Sequence, residues 1–567
     1  MTAEELLAHM LRDHGVRRFF GIPGGPSIPY MEAFRKEGIE FILTSHESSA
    51  AVMADVTARL TGVTGVCHAT FGPGATNLST GVGGALLDRS PLLALTSEMP
   101  DEWLDRTTQM NIDHQAIFSP LTKATFRLNS ANAGDIIGRS LDIANEEYPG
   151  PVHIGLPSGL AGKSIVEQAV ARPDPVDAVR LRTEERVRVL LSSSRKPLIA
   201  AGLTAMRRGA GTRLLEFLEQ HSVPVVLTPM ARGLIPSTHP SYAGVLFHAL
   251  SDRLMRLTGE ADLIIGLGYD PVEYNYESWM PDVPLVHFDT TETDLRIRGA
   301  IQSVSPPAMW FDALSVLRSA PEMVALAAEA RQEILKGLLA ASKGFSPVTA
   351  LSILKELLPA GTVVTADVGS HLHLIGQMWD VPPSGKLIMT NGWSSMGFGL
   401  PAALAAAFVS RDGLTAGSVS RDKKAAAFTG RDQQSAAFTG RDKKAAAFTG
   451  SENPVVCITG DGGFLMHAGE MITARRYGLK VIVVVLSDGE LNLIKVKQSW
   501  KDLDSYGTQL FTGPLFGSGN YLGTEVIRVT NAGEMKAAVG RALLSGSSVI
   551  IEAVVDPSVY NDLVVKS

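Results

Sequence analysis

The 567-residue sequence predicts an α/β protein built from three doubly wound parallel-sheet domains. Three observations carry this expectation. The chain is too long for one hydrophobic core. Helix-patterned and strand-patterned segments alternate along it, and the alternation starts afresh three times. Strand-patterned runs repeatedly end in glycine turns, as in "RRFFGIPG" and "GVCHATFGPG", which is how parallel strands lead into covering helices.

The first unit spans residues 1–165 and opens with an amphipathic helix, "EELLAHMLRDHG", with acids early. The strand "RRFFGIPG" follows, then the helix "SSAAVMADVTARLTG" closed by Gly62, then the strand "GVCHATFGPG". The stretch "SIVEQAVARPDPVDAVRLRTEE", with prolines and mixed charge, reads as a linker. A second unit, 185–335, begins at "KPLIAAGLTA" and runs through "VPVVLTPMARG" and "ADLIIGLGYDP". The third, 346–567, begins at "SPVTALSILKELLP" and continues through "GTVVTADVGSH", "GLPAALAAAFV", "NPVVCITG" and "SVIIEAVVDP".

Residues 411–452 interrupt this third unit. A degenerate decapeptide, "RDGLTAGSVS", precedes "RDKKAAAFTG", "RDQQSAAFTG" and "RDKKAAAFTG". Connections between a helix and a strand usually take about 2–6 residues, so the repeat reads as an insertion. A period of ten suits neither a solenoid nor a coiled coil. The expectation is a surface excursion grown by duplication; the alternative is a lid or subunit contact using Phe428, Phe438 and Phe448.

A net charge of −7 and the absence of a Lys/Arg run argue against nucleic acid as a partner. The two cysteines, Cys67 and Cys457, lie in apolar segments with no metal-ligand spacing, as buried thiols do in a reducing compartment. The N-terminus lacks a signal-peptide pattern, and the apolar run "VIVVVL" at 481–486 is far too short to span a bilayer. A soluble cytoplasmic protein with no membrane partner is expected.

The chemistry concentrates in "VVCITGDGGFLMHAGEMITARRYGLKVIVVVLSDGELNLI", residues 455–494. Two apolar runs end in Asp461 and Asp488, and Gly460, Gly462 and Gly463 surround the first. Ends of parallel strands face ligands. Glycines there let backbone N–H groups approach a phosphate, but a neighbouring carboxylate would repel it. A divalent cation resolves the conflict, because Mg²⁺ takes one or two carboxylates from a protein and phosphate oxygens besides. A helix and a strand between Gly462 and Asp488 bring both acids to one sheet edge. The bland alternative is two turn aspartates capping helices.

The segments "GDGGF" at 460–464 and "SDGELNLI" at 487–494 resemble the signature of thiamine-diphosphate enzymes. The resemblance implies Mg²⁺ held by the carboxylates of Asp461 and Asp488 and the backbone carbonyl of Glu490. Asn492, Leu493 and Ile494 join the implied cofactor-binding set. Ser487-Asp488 replaces the family's usual Asn-Asn, in the style of the catabolic acetolactate synthases. "FILTSHESSAAVMADVTARLTG" is similar to the first-domain segment whose glutamate faces the coenzyme's aminopyrimidine, and this assigns Glu47 as catalytic. A glutamate entering a helix after an apolar strand sits where its protonation is tunable; stabilising the helix dipole is the ordinary alternative. "TNGWSSMGFGLPAA" at 390–403 implies Met396 as the apolar wedge that bends the coenzyme. It also implies the carbonyl of Ser394, where many members have glycine, as an acceptor. "DVGSH" at 367–371 implies diphosphate contacts from Gly369, Ser370 and His371.

Loops "GIPGGPSIP" and "TFGPGATNL" resemble the substrate side, with Gly24, Gly25 and Phe71. Gln109 and Gln115 lie in "TTQMNIDHQAIFSPLTK", a loop facing the reaction centre in relatives. The three units then correspond to pyrimidine-binding, central Rossmann-like and diphosphate-binding domains. "GLGYDPVEYNYESWMP" and the tail "VDPSVYNDLV" are similar to the flavin-free catabolic acetolactate synthases. "AAGLTAMRRGAG" has Gly202, Gly209 and Gly211 but no G-x-G-x-x-G, so FAD is not expected.

The implied function is Mg²⁺- and thiamine-diphosphate-dependent carboligation with decarboxylation, by an acetolactate-synthase-like transferase or lyase. Its substrates would be pyruvate or another 2-keto acid. The implied assembly is a homodimer or homotetramer with active sites between the first domain of one subunit and the third of another. A 2-keto acid decarboxylase, a benzaldehyde-lyase-like enzyme, a 2-hydroxyacyl-CoA lyase and a sulfoacetaldehyde acetyltransferase share these motifs. A non-catalytic scaffold of the same fold would have lost Glu47 or Asp461, and both are present. An NAD-type dehydrogenase would need the dinucleotide fingerprint and an acidic ribose ligand.

Overall fold

A computed structural model describes residues 1–165, 184–341, 344–382, 384–413 and 453–564. The expected linker and the decapeptide insertion lie almost wholly outside the described residues. Among the described residues the strands form three sheets.

The first sheet contains β1 (Arg18–Ile22), β2 (Glu40–Leu43), β3 (Gly65–Ala69), β4 (Leu92–Glu98), β5 (Ala124–Arg127) and β6 (Pro151–Pro157), in the order β2-β1-β3-β4-β6-β5. The second contains β7 (Pro197–Ala201), β8 (Val225–Leu227), β9 (Tyr242–Val245), β10 (Leu263–Leu267), β11 (Leu285–Asp289) and β12 (Ile301–Val304), ordered β12-β11-β10-β7-β8-β9. The third contains β13 (Val363–Ala366), β14 (Lys386–Ile388), β15 (Val455–Gly460), β16 (Ile482–Ser487), β17 (Asn520–Tyr521), β18 (Thr524–Val529) and β19 (Val549–Val554). Its order is β14-β13-β15-β16-β19-β18-β17, parallel except for the β17–β18 pair. Helices interleave with the strands, so the fold is the α/β architecture that the alternating pattern predicts. β4, β6 and β16 are buried along their whole length. Strands covered on both faces carry continuous apolar runs for this reason.

Local signals read from sequence act as expected. The helix Ala3–Asp13 starts on a capping box between Thr2 and Glu5. The helix Glu47–Thr61 ends on Gly62 at φ 73°, a left-handed cap. One segment differs. The single helix expected after Asp461 is two, Asp461–His467 and Glu470–Arg476, interrupted at Ala468 and Gly469. An acid begins each.

The first and third domains share a core. Helices Glu47–Thr61 and Gly399–Arg411 are rich in alanine, so their backbones approach closely and bury Ala50, Ala54, Leu404, Phe408, Cys67 and Cys457 in one cluster. Both cysteines are fully buried and unpaired in a disulfide. Arg59 fastens the contact. Its guanidinium bonds Asp55 at 2.7 and 2.8 Å, Asp88 at 2.7 Å and the Met389 carbonyl at 2.8 Å. Asp88 in turn accepts from the amides of Asn391 (3.3 Å) and Gly392 (3.1 Å). No helix among the described residues is long and apolar enough to cross a membrane.

Candidate active site

β15 and β16 run in register and end side by side, with Gly460 opposite Leu486. Asp461 begins the next helix and Asp488 follows Ser487 directly. Asp461 Oδ2 accepts from the N–H groups of Asp488 (3.0 Å) and Gly489 (2.7 Å), and its Oδ1 accepts from Gly462 N–H at 2.7 Å. Asp488 Oδ1 accepts from Glu490 N–H at 3.0 Å and its Oδ2 from Asn492 Nδ2 at 3.1 Å. Burial, then the negative charge of Asp461, pushes the Asp488 carboxyl up to about 7; burial also raises Asp461. A buried acid beside a half-buried one, held together by backbone donors, is a site that a hard cation would relieve.

The surroundings are cut to shape. A Cβ on Gly462 would stand 3.0 Å from the Met396 methyl and from Leu491, and one on Gly460 would stand 3.3 Å from the His371 ring. Met396 therefore lies against the start of the Asp461 helix. Ser370 Oγ and His371 Nε2 are buried and have no hydrogen-bond partner among the described residues. Such atoms are costly unless a ligand or water meets them. Burial keeps the His371 ring neutral, with its pKa lowered to about 4. Leu493 packs partly against the core and Ile494 is exposed. Ser394 adopts φ 52°, a conformation that favours glycine, and its Oγ donates to the Asn391 carbonyl at 2.7 Å.

A second group gathers at the ends of the first-sheet strands. Glu47 is the first residue of its helix and is buried. Its Oε2 accepts from Asn77 Nδ2 at 3.1 Å, and Gly74 leaves room beside Oε1. The loops 21–29 and 70–78 touch, since a Cβ on Gly24 would overlap Thr70. Gly25 starts the turn that follows. Phe71 is half-buried next to Gly72, whose φ of 65° and 2.9 Å approach to Met110 demand glycine. Gln115 turns inward and donates to Glu98 at 2.6 Å; Gln109 is exposed.

Glu98, His114 and His153 lie close enough to share a metal ion. The hydrogen bonds argue otherwise. His114 Nε2 accepts from Gly72 N–H at 3.2 Å, so Nδ1 carries the proton, directed at Thr96 Oγ1 at 2.9 Å. Thr96 reaches His153 Nε2 at 2.8 Å, and His153 Nδ1 reaches Thr125 at 2.7 Å. Arg127 occupies Glu98. Burial holds both imidazoles neutral, which suits a relay that orders the Phe71–Gly72 turn.

A crevice lies between the first and third domains of the chain. Ser48, Gly81, Gly84, Trp393, Met396 and His467 line it. Residues that motif reading passed over hold it together. Asp367 is fully buried and accepts from Val368 N–H (2.7 Å), Gly397 N–H (2.9 Å) and Thr459 Oγ1 (2.9 Å). It connects the turn before Ser370, the turn carrying Met396 and the strand before Asp461. The signal that exposed Asp461, an acid closing an apolar strand, was present at Asp367 too. Trp393 and Asn77 carry no comparable sequence signal, because only packing shows what they touch.

Three family profiles match the chain. "Thiamine pyrophosphate enzyme, N-terminal TPP binding domain" covers residues 1–117, the central domain of that enzyme family covers 185–313, and its C-terminal TPP binding domain covers 443–553. The chain belongs to the thiamine-diphosphate enzymes of the acetolactate-synthase-like family. Curated relatives extend over nearly its full length. The "Probable acetolactate synthase large subunit" of Methanocaldococcus jannaschii is 27% identical, covering 98% of this chain and 92% of the relative. The "Acetolactate synthase isozyme 2 large subunit" of Escherichia coli K12 is 27% identical over 98% of the chain and 96% of the relative. The "Putative thiamine pyrophosphate-containing protein YdaP" of Bacillus subtilis is 25% identical over 98% and 92%. In this thiamine-diphosphate enzyme the N-terminal profile spans Glu47 and the C-terminal one spans Asp461 and Asp488.

Proposed function

We propose that this enzyme carries out Mg²⁺-dependent decarboxylative carboligation of pyruvate or another 2-keto acid, as an acetolactate-synthase-like transferase or lyase. The observation that supports it most is the pair Asp461 and Asp488, locked side by side by backbone donors, with burial and the Asp461 charge raising Asp488 to about 7.

Bound thiamine diphosphate supplies an electron sink for loss of carbon dioxide from a keto acid. The chain supplies the rest. Asp461, Asp488 and the Glu490 carbonyl hold Mg²⁺. The Glu490 peptide faces Asp488, because its N–H donates there while its neighbours Gly489 and Leu491 bond to Leu510 and Thr508. Ser370 Oγ and His371 Nε2 gain the partners they lack by meeting the diphosphate. Met396 would support the coenzyme and the Ser394 carbonyl would accept from it. Glu47 would exchange a proton with the aminopyrimidine, its carboxyl fixed by the bond from Asn77. Gly24, Gly25, Phe71, Gln109 and Gln115 face the substrate.

The central domain fits a flavin-free enzyme. Its crevice lies where the strand order reverses, between β7 and β10. There the amides of Thr204 and Ala205 donate to the Gly268 carbonyl, at 2.9 and 3.4 Å, so the place a dinucleotide phosphate would take is filled by backbone. The assembly is a cytoplasmic homodimer or homotetramer, with the first domain of one subunit facing the third of another.

The test is a keto-acid panel with Mg²⁺ and thiamine diphosphate, products resolved by chromatography. Acetolactate from pyruvate is expected; acetaldehyde instead would make the enzyme a simple decarboxylase. Failure to bind the coenzyme with Mg²⁺ would overturn the reading. Glu47→Gln is expected to abolish exchange of the coenzyme's C2 proton while leaving coenzyme binding measurable. Persistent turnover in that variant would remove Glu47 from its role.

A further inference from the structure

We propose that Glu470 is a positioning residue for Glu47, tying the metal-facing edge of the third domain to the acid of the first within one chain. The proposal rests on the reading of Glu47 given above. Glu470 is fully buried and begins the helix Glu470–Arg476. Its Oε1 accepts from the backbone N–H groups of Ser45 at 2.8 Å and His46 at 3.1 Å. These residues immediately precede Glu47. His46 is the N-cap of the Glu47 helix, with its Nδ1 accepting from Ser48 N–H at 3.1 Å.

The same segment is gripped at further points. Ser45 Oγ donates to the Gly469 carbonyl at 2.9 Å, and Tyr477 OH accepts from Leu43 N–H at 2.8 Å. Arg476 donates to the Leu43 carbonyl at 2.8 Å. The His46 ring meets the His467 ring edge-on at 5.7 Å, and His467 Nδ1 bonds the Gly397 carbonyl at 2.8 Å, one residue beyond Met396. All these third-domain groups lie on or beside the two short helices that start at Asp461.

A buried carboxyl is costly even when bonded. The hydroxyls of Thr473 and Ser49 also stand at the Glu470 carboxyl, so the group is committed to this joint between the domains. It does fix both amides that aim the first turn of the Glu47 helix. Asp461 and Glu470 start consecutive helices, so a shift at the metal-facing turn carries directly to Ser45 and His46. A displacement of about 1 Å at a catalytic group can cost roughly a hundredfold in rate.

The test compares wild type, Glu470→Gln and Glu470→Leu as full chains with Mg²⁺ and thiamine diphosphate. Calorimetry reads coenzyme affinity, NMR reads exchange of the coenzyme's C2 proton, and mass spectrometry reads amide exchange across residues 43–48. Glu470→Leu is expected to speed amide exchange and slow C2 exchange by about tenfold or more, with affinity within about threefold of wild type. Glu470→Gln keeps an acceptor at Oε1 and is expected to restore most of both signals. Wild-type amide and C2 exchange in Glu470→Leu would sink the proposal, as would affinity and C2 exchange falling together. Should Glu470→Leu not fold, Glu470→Asp withdraws the carboxyl from the Ser45 and His46 amides by one methylene, and unchanged amide and C2 exchange there counts equally against it. A wild type that does not bind the coenzyme overturns the functional reading instead, and amide exchange then still reports whether Glu470 holds the segment.

Discussion

Glu273 shows what burial does to a single carboxyl. It lies in the central domain, its Oε1 accepts from Met230 N–H at 2.7 Å, and burial raises its pKa to about 8. In the unfolded chain the group ionises near the usual glutamate value. Its contribution to stability is therefore fully present below about pH 4.5 and is lost as pH rises to about 8. Glu273→Gln keeps the acceptor without the charge. The variant should match wild type near pH 5 and exceed it at pH 9, by on the order of 1–3 kcal/mol in urea unfolding. Equal stability at both pH values would refute the assignment. At the candidate site, Ser370→Ala and His371→Ala should each weaken coenzyme binding about tenfold in calorimetry, the loss expected for a hydrogen bond to a charged group. Unchanged affinity in both would place the diphosphate elsewhere. Ser370 and His371 were legible as motif residues; that their polar atoms are buried without partners was not.

Between elements, the packing of helix Glu47–Thr61 on helix Gly399–Arg411 depends on small residues and on one charged clasp. Arg59 holds two carboxylates that are both almost completely buried. Arg59→Leu would leave Asp55 and Asp88 without their counter-charge, which costs roughly 3–5 kcal/mol. The expected result is a clear drop in thermal midpoint, checked by calorimetry, and Arg59→Lys should recover only part of it because lysine lacks the forked geometry. The alanine-rich runs were readable as helices from their pattern. That these two helices meet was not, because nothing in either run names its partner. The helix after Asp461 was misread as one piece for a similar reason: Gly469 looks like a tolerated helix glycine. Gly469 lies close against Ser45, where a Cβ would sit 3.3 Å from the Ser45 Cβ.

The whole molecule is three α/β units, and the active site proposed above requires at least two chains. Sedimentation should find a dimer or tetramer, and a monomer with full activity would contradict the shared site. Deleting 413–450, most of the decapeptide insertion, should leave turnover largely intact. Loss of activity in a folded deletion variant would give the repeat a role beyond surface excursion.

The sequence alone determined the fold class and the coenzyme family, because apolar periodicity and glycine-flanked acids act locally and survive as patterns in the chain. It placed Asp461, Asp488 and Glu47 on strand or helix ends before any coordinates. Only the tertiary structure decided how those groups are held: Asp367 joining three turns, Asn77 on Glu47, Glu470 on the amides ahead of it. Hydrogen bonds such as Glu470 to Ser45 link residues more than four hundred positions apart. No local pattern encodes such a pairing, because it exists only once two domains have packed against each other.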